Sequence, residues 1–173
     1  MSSGIIKRAL SCLAVLTTPM TIADPSSHNE QVIRRAGSQP SFDGAEQVFS
    51  GKVRVDPLFP STSEINASGA YVTFEPSARS AWHTHPSGHH IIVTEGVGLT
   101  QGWGKPIQEV QVGDTLWCPP GVKHWHGAAP NSPMTHLVVT GEDDDGKNVV
   151  WMEKVSDAQY GAYDSDKRSK SSR

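Results

Sequence analysis

The chain has 173 residues, and its 15 Lys and Arg against 18 Asp and Glu give a formal net charge of −3. This length fits a single domain, and the slightly acidic balance gives no support for a nucleic-acid partner. Sixteen Gly and twelve Pro separate short runs rich in Val, Thr and Trp. That mixture predicts an all-β domain in which short strands are joined by turns.

The N-terminus has the layout of a secretory signal peptide. Lys7 and Arg8 precede an apolar run over residues 9–20, and small residues end the run just before Asp24. The run is too short and too broken to span a membrane. We therefore predict a signal peptide over 1–23 and a periplasmic or secreted protein that leaves the membrane after cleavage. Without such cleavage, the protein would be cytoplasmic.

Differences in composition and in the spacing of Gly, Pro and Ser divide the remaining chain into an arm, a strand-rich domain and a tail. Residues 24–45 lack periodicity and predict an extended arm with one edge strand around 31–34. The domain is predicted over 46–160, with a short closing helix capped by Ser156, and residues 161–173 predict a disordered tail. Eight segments inside the domain have strand-like patterns: 47–55, 69–76, 89–96, 107–113, 114–121, 123–130, 134–142 and 148–155.

Half of the eight histidines lie within residues 81–90, AWHTHPSGHH. Side chains alternate across a strand, so His83 and His85 share one face. His89 begins the next apolar strand and shares its parity with inward-facing residues, whereas His90 has the opposite parity and is predicted to point outward. Packing alone does not require such a cluster, which favours a bound species.

A second group of histidines follows in the sequence HWHG. His124 and His126 share a face by the same alternation, and His136 lies on the next predicted strand. Three strand segments therefore direct imidazoles toward one interior, and neutral imidazole is the commonest transition-metal ligand. For His126 and His136, a structural role and direct chemistry remain equally open; His28 is predicted to lie at the surface.

Two motifs in the chain resemble those of the cupins, small β-barrels that hold a metal in their mouth. The resemblance covers roughly residues 48–155, and the gap between the motifs, 97–112, has the usual length. It implies a single jelly-roll-like cupin barrel. The matching residues are His83, His85, His89 and Gly96 in the first motif and Gly113, Pro119, Gly121 and His124 in the second.

The chain departs from the cupin pattern at three positions. Ser77 replaces a leading glycine and Ala128 a closing asparagine. The third departure has chemical consequences, because His89 stands where the family usually has a glutamate ligand. Four neutral imidazoles would leave the charge of a divalent ion uncompensated and supply no carboxylate base, so any base must come from elsewhere, such as His126 or His136.

Within the cupins, the segments VTFEPSARSAWHTHP, PPGVKHWHGAAP and VVWMEKVSDAQY resemble the manganese-dependent hydroxynitrile lyases of soil bacteria. The resemblance implies one divalent ion per chain, Mn(II) by preference, although imidazoles also suit Fe(II), Ni(II) or Zn(II). It places His89 where that group has a glutamine ligand. The implied ligands are His83, His85, His89 and His124, the implied catalytic residues His126 and His136, and the implied pocket wall Ala70, Val72 and Thr140.

These features lead to one leading hypothesis and two alternatives. The leading hypothesis is a metal-dependent lyase that cleaves or forms a small cyanohydrin such as mandelonitrile. One alternative is a dioxygenase that uses Fe(II) and O₂ on a small chelating substrate, and the other is a non-catalytic small-ligand-binding cupin. Because cupins commonly pair through edge strands, we also expect a homodimer or homotetramer.

Overall fold

A computed structural model describes residues 30–163 of the chain. Contacts between Cα atoms divide the chain into residues 1–33 and 34–173. All strands of the described part lie in the second of these units. The predicted signal peptide, His28 and residues 164–173 of the predicted tail lie outside the described residues.

The described residues form twelve strands and one helix. All strand pairs are antiparallel. The strands are β1 (Phe42–Asp43), β2 (Phe49–Ser50), β3 (Val53–Phe59), β4 (Ala67–Phe74), β5 (Arg79–Ser80), β6 (His83–Thr84), β7 (His89–Gly102), β8 (Gln108–Gln111), β9 (Thr115–Cys118), β10 (His124–Ala128), β11 (Met134–Gly141) and β12 (Val150–Trp151). The helix, α1, runs from residue 157 to 163, the last residue described.

Strand β7 belongs to two sheets and thereby closes the barrel. In one sheet the order is β1-β3-β4-β11-β7-β9. In the other the order is β2-β5-β10-β7-β8, with β6 pairing with β10 and β12 pairing with β6. This curled arrangement of short antiparallel strands confirms the predicted all-β, jelly-roll-like barrel with a short C-terminal helix.

Gly96 is the point at which β7 passes from one sheet to the other. Residues before it pair with β11, and residues after it pair with β10. Its φ is +72°, a region that residues with a Cβ enter only with strain. A Cβ there would also lie 1.9 Å from the Pro133 carbonyl oxygen, so the crossing needs glycine for two independent reasons.

The structure differs from the sequence prediction in the N-terminal half. The prediction of an edge strand around 31–34 is wrong, because these residues are irregular and no described strand pairs with them. Val32 and Ile33 are exposed. The strand expected over 47–55 is split into β2 and β3 by a turn at Gly51, with a φ of +78°. Strand β3 then continues through Pro57, which is tolerated because β1 covers only its first residues and leaves an open edge there.

Two apolar clusters lie on opposite sides of the sheet that contains β10. The inner cluster lies inside the barrel and includes Phe74, Val93 and Met134. The outer cluster includes Trp82 and Trp125, the residues whose parity is opposite to that of the histidines beside them. Those two tryptophans are therefore covered by the C-terminal segment rather than by water.

Helix α1 holds the outer cluster in place. The Ser156 hydroxyl accepts from the Gln159 amide N–H, and the Gln159 side chain accepts from the Ser156 N–H, a reciprocal capping box that confirms the predicted N-cap. Tyr160 then packs against Trp125 and donates a hydrogen bond from its hydroxyl to the Ala128 carbonyl.

None of the described residues forms a helix long and apolar enough to cross a membrane.

Candidate metal centre

Six buried histidines converge inside the barrel, and both sheets contribute to them. His89 begins β7 and His136 lies on β11, in the first sheet; the second sheet supplies the rest from β6, from the residue after it, and from β10. The structure brings together all six of the predicted residues, each at most 9% exposed. They are His83, His85, His89, His124, His126 and His136.

The neighbouring histidine behaves differently, as its parity predicts. His90 is exposed and stacks on Trp117 outside the barrel, with ring centroids 4.6 Å apart. Its position next to His89 makes it a natural control, because the two differ in the face of β7 that they occupy.

Four imidazoles form the tightest part of the cluster. His83 and His124 are cross-strand partners, with ring centroids 4.3 Å apart, and His85 and His89 are 3.9 Å apart. The Nε2 atoms of His89 and His124 are separated by 3.2 Å. Two nitrogens that bind one ion at about 2.1 Å and at a right angle would lie about 3.0 Å apart, so this spacing suits two ligands of a common ion.

Backbone carbonyls fix the tautomers of three of these rings. Nδ1 of His83 lies 2.9 Å from the Ala81 oxygen, Nδ1 of His124 lies 2.9 Å from the Val122 oxygen, and His85 makes the same kind of bond to Asn148. A carbonyl only accepts, so each Nδ1 carries the proton and each Nε2 presents a lone pair. Metal-binding histidines are commonly oriented in this way.

Several of the buried nitrogens have no hydrogen-bond partner within the described part of the chain. They include His85 Nε2. A buried polar atom without a partner costs free energy, and lone pairs that face one another repel. A divalent cation would satisfy the Nε2 lone pairs together, so the donor set fits the metal that the sequence predicts.

Electrostatics keep these rings neutral, which is the form that binds a metal. Burial, with a smaller contribution from neighbouring imidazoles, holds the pKa of His83 well below its usual value. Burial likewise lowers the pKa of His124 to about 4 and also lowers those of His85 and His89. At neutral pH the site is therefore a set of uncharged nitrogen donors.

His126 and His136 form a second pair above Phe74. Their ring centroids are 4.9 Å apart, and each lies 5.7 Å from the Phe74 ring. Burial holds the pKa of His126 well below its usual value and lowers that of His136 to about 4. The ring centroids of His126 and His83 are 5.3 Å apart. One ring nitrogen of His126 also forms a possible ligand triad with one nitrogen each from His83 and His124.

A cavity of about 490 Å³ opens over five of the histidines. All three residues predicted to form its wall, Ala70, Val72 and Thr140, line it. No carboxylate and no lysine or arginine appears among its described lining residues, so the cavity is apolar apart from the imidazoles and a few neutral polar groups.

Sequence reasoning missed one side of this cavity. Trp151 on β12 is the cross-strand partner of His83, with ring centroids 4.9 Å apart, and Phe49 packs against it. Asn148 supplies the carbonyl that orients His85. Pairing between strands far apart in sequence brings these residues together, and a backbone carbonyl leaves no sequence signal.

Comparison with known proteins agrees with this architecture. Residues 70–140 match the cupin domain family. The chain is 53% identical over 128 residues to an (R)-mandelonitrile lyase of Granulicella tundricola, covering 74% of this chain and 97% of that protein.

Among solved structures, one relative gives the same family and another shares the fold. A cupin-like protein of Thermotoga maritima is 34% identical, with a TM-score of 0.64, covering 78% of this chain and 97% of the other. A cupin 2 conserved barrel protein of Rhodopseudomonas palustris is 19% identical, with a TM-score of 0.55 over 75% of this chain and 86% of the other, and shares the fold. The barrel, its histidine cluster and these similarities together show that the chain belongs to the cupin family and is similar to a mandelonitrile lyase.

Proposed function

We propose that the protein is a metal-dependent lyase that cleaves or forms a small cyanohydrin such as mandelonitrile. Its products in the cleavage direction are an aldehyde and hydrogen cyanide. The observation that carries the proposal is the pairing of a neutral four-histidine donor set with two further buried imidazoles at the floor of an apolar cavity. The 53% identity to a mandelonitrile lyase supports the same reaction class.

His83, His85, His89 and His124 would hold the metal. When bound there, a divalent ion supplies Lewis acidity that lowers the pKa of a substrate hydroxyl. Mn(II) is the ion favoured by the sequence resemblance, and Fe(II), Ni(II) and Zn(II) suit the same donors. His89 takes the place of the glutamine found in the lyases that the sequence resembles.

His126 is the group best placed to accept the hydroxyl proton. It is neutral, lines the cavity and lies between the donor set and His136. Transfer of that proton to His126 lets the oxygen form the aldehyde carbonyl while the carbon–carbon bond breaks and its electron pair leaves with cyanide. The proton then returns to cyanide through His126 or His136, so atoms and charge balance.

The apolar wall of the cavity contributes to substrate selection and to the exclusion of water. Val72, Ala70 and Thr140 line the cavity on the side of β4 and β11, where they would lie beside the reacting carbon. The lack of a described charged side chain in the wall suits an uncharged substrate and excludes competing proton donors. A substrate bound against these side chains would displace water from the cavity floor, which would strengthen the electrostatic contribution of the imidazoles.

The first test is release of benzaldehyde from mandelonitrile at weakly acidic pH, where the uncatalysed reaction is slow. The protein is assayed as isolated, after chelation, and after Mn(II) or Fe(II) is added back. We expect release to disappear with the chelator and to return with one of the metals. No release from protein that contains metal, together with oxygen uptake on a chelating substrate, would instead establish the dioxygenase alternative.

The second test separates the roles of the histidines. His126→Ala and His136→Ala should each lower kcat by about 10²-fold or more, in the range for loss of a general acid or base. Both variants should retain the metal, and His90→Ala should behave as the wild type because His90 lies outside the barrel. Unchanged turnover in both variants would refute the assignment, and loss of metal from His126→Ala would make that residue a ligand.

A further inference from the structure

We propose that the cavity contains an outer aromatic subsite, formed by Phe42, Phe59 and Pro57, that binds the second ring of an extended two-ring aryl substrate. This inference rests on the proposed function and names the class of cyanohydrin that the site is shaped to take. The subsite residues are distinct from the histidines and from the predicted wall of Ala70, Val72 and Thr140.

The size of the cavity is the first observation. Mandelonitrile has roughly ten non-hydrogen atoms, which fill at most about 300 Å³ if each is given the space of one water in the liquid. The cavity measures about 490 Å³, so roughly 190 Å³ remains beyond a one-ring substrate. Cavities of this size bury most of the surface of a ligand with two or more rings.

The position of the aromatic residues is the second observation. At the floor, His89 and Val72 are 2% and 8% exposed, whereas Phe59 and Phe42 are 39% and 56% exposed although both line the same cavity. Exposure therefore rises from the histidines outward, and the two phenylalanines lie at the mouth. Their free ring surface would lose contact with water when a second ring occupies the subsite.

The local structure holds Phe59 in that place. The register between β3 and β4 shifts between Pro57 and Phe59, so that Phe59 faces Gly69. A Cβ on Gly69 would lie 2.4 Å from two carbons of the Phe59 ring, which shows that the ring rests directly on the glycine backbone.

The chemistry of the mouth narrows the ligand class. Besides the histidines, the polar residues of the cavity lining are the neutral Gln39, Ser68, Thr140 and Asn148, and no described charged residue joins them. A carboxylate, phosphate or ammonium group would find no partner there. An uncharged aryl group such as a phenoxyphenyl ring system matches the apolar surface and the space.

The binding test uses uncharged alcohols and therefore does not depend on turnover. Benzyl alcohol and 3-phenoxybenzyl alcohol are titrated by calorimetry into wild-type protein and into Phe59→Ala, with and without chelator. We expect the two-ring alcohol to bind the wild type at least tenfold more tightly than the one-ring alcohol. Phe59→Ala should weaken the two-ring alcohol about tenfold, the scale of a lost aromatic pair, and leave benzyl alcohol unchanged.

Two further variants control for indirect effects. Tyr71→Ala removes an aromatic residue of similar exposure, 37%, that is not among the described lining residues of the cavity, and it should bind both alcohols as the wild type does. Gly69→Ala keeps every aromatic residue but displaces the Phe59 ring, and it should weaken only the two-ring alcohol. Equal affinity for the two alcohols in the wild type, or equal loss of both in Phe59→Ala, would overturn the subsite.

A turnover assay with the two matching cyanohydrins separates this inference from the lyase proposal. We expect kcat/KM for 3-phenoxymandelonitrile to exceed that for mandelonitrile and to fall selectively in Phe59→Ala. Cleavage of both cyanohydrins without preference contradicts the subsite and leaves the lyase intact. Selective binding of the two-ring alcohol without cleavage of either cyanohydrin contradicts the lyase and supports the subsite.

Discussion

Ser77 differs from the cupin motif in residue type but has a glycine-like backbone conformation. It occupies the position of the leading glycine in the first cupin motif, and its φ is +69°, the one positive value among the described residues other than glycine. The turn it makes delivers the chain to β5 and then to His83, with the Ser77 N–H donating to Ala129. The backbone at Ser77 therefore has a conformation that glycine adopts without strain.

We predict that Ser77→Gly stabilises the protein by about 0.5–1 kcal/mol. The left-handed conformation costs a residue with a Cβ roughly 1–2 kcal/mol, and the greater freedom of glycine in the unfolded chain offsets roughly 0.4–1 kcal/mol of that gain. The Ser77 hydroxyl is exposed and 3.4 Å from its acceptor, so its loss costs little. Urea unfolding measures the change.

Ser77→Ala is the matched control for that substitution, because it removes the hydroxyl and keeps the Cβ. We expect its free energy of unfolding to remain close to that of the wild type. If Ser77→Ala stabilised the protein as much as Ser77→Gly, the hydroxyl rather than the backbone conformation would be responsible.

At the scale of elements, the histidine-bearing strands were the most predictable part of the chain. Alternation alone indicated that His83, His85, His124 and His126 face inward and that His90 faces outward. Strand boundaries were less accessible, since β3 passes through a proline and β7 continues for 14 residues across both sheets. Such features depend on which neighbour covers a strand edge, and that information is absent from local sequence.

The part of the site formed by non-local pairing could not be predicted. Trp151 reaches His83 because β12 pairs with β6, and Phe59 packs on Gly69 through a shifted register between β3 and β4. Neither contact follows from periodicity, since each depends on how segments distant in sequence align. The motif histidines, in contrast, lie on short strands whose alternation fixes their direction.

The crossing of β7 between sheets makes a prediction at the same scale. Gly96→Ala should lower the free energy of unfolding by at least about 3 kcal/mol, since it adds steric overlap with Pro133 to the backbone strain. Gly104 has nearly the same φ as Gly96, +71° against +72°, but a Cβ added at Gly104 would meet no atom within 4 Å. Gly104→Ala is therefore the matched control. We expect it to lose only about 1 kcal/mol.

Urea unfolding of both glycine variants beside the wild type tests this difference. Equal losses would show that β7 accommodates a side chain at the crossing. If Gly96→Ala gives no folded protein while Gly104→Ala does, that result agrees with the prediction.

At the scale of the whole molecule, the histidine cluster is a junction between the two sheets. His89 comes from the sheet of β4 and β11, whereas His83 and His124 come from the sheet of β5 and β10. His83 and His89 line the cavity from the two sheets, and His124 is the cross-strand partner of His83. An ion held by all three would connect the two sheets at the floor of the cavity.

We therefore predict that metal binding stabilises the entire fold and not the site alone. An ion at 100 times its Kd contributes about 2.7 kcal/mol to the folded state. For a chain of this size, each kcal/mol raises Tm by about 2–4 °C, so saturation should raise it by about 5–10 °C relative to chelated protein. Thermal unfolding followed by circular dichroism at increasing Mn(II) concentrations measures the shift.

The histidine pair at the start of β7 makes this prediction specific. His89→Ala removes one donor from the first sheet and should greatly reduce the rise in Tm. His90→Ala removes an imidazole from the adjacent position on the solvent side and should preserve the rise in full. Both variants have the same composition and lie on the same strand, so a difference in their rise in Tm is due to the loss of the His89 ligand between the sheets. An equal rise in both would place the bound metal elsewhere.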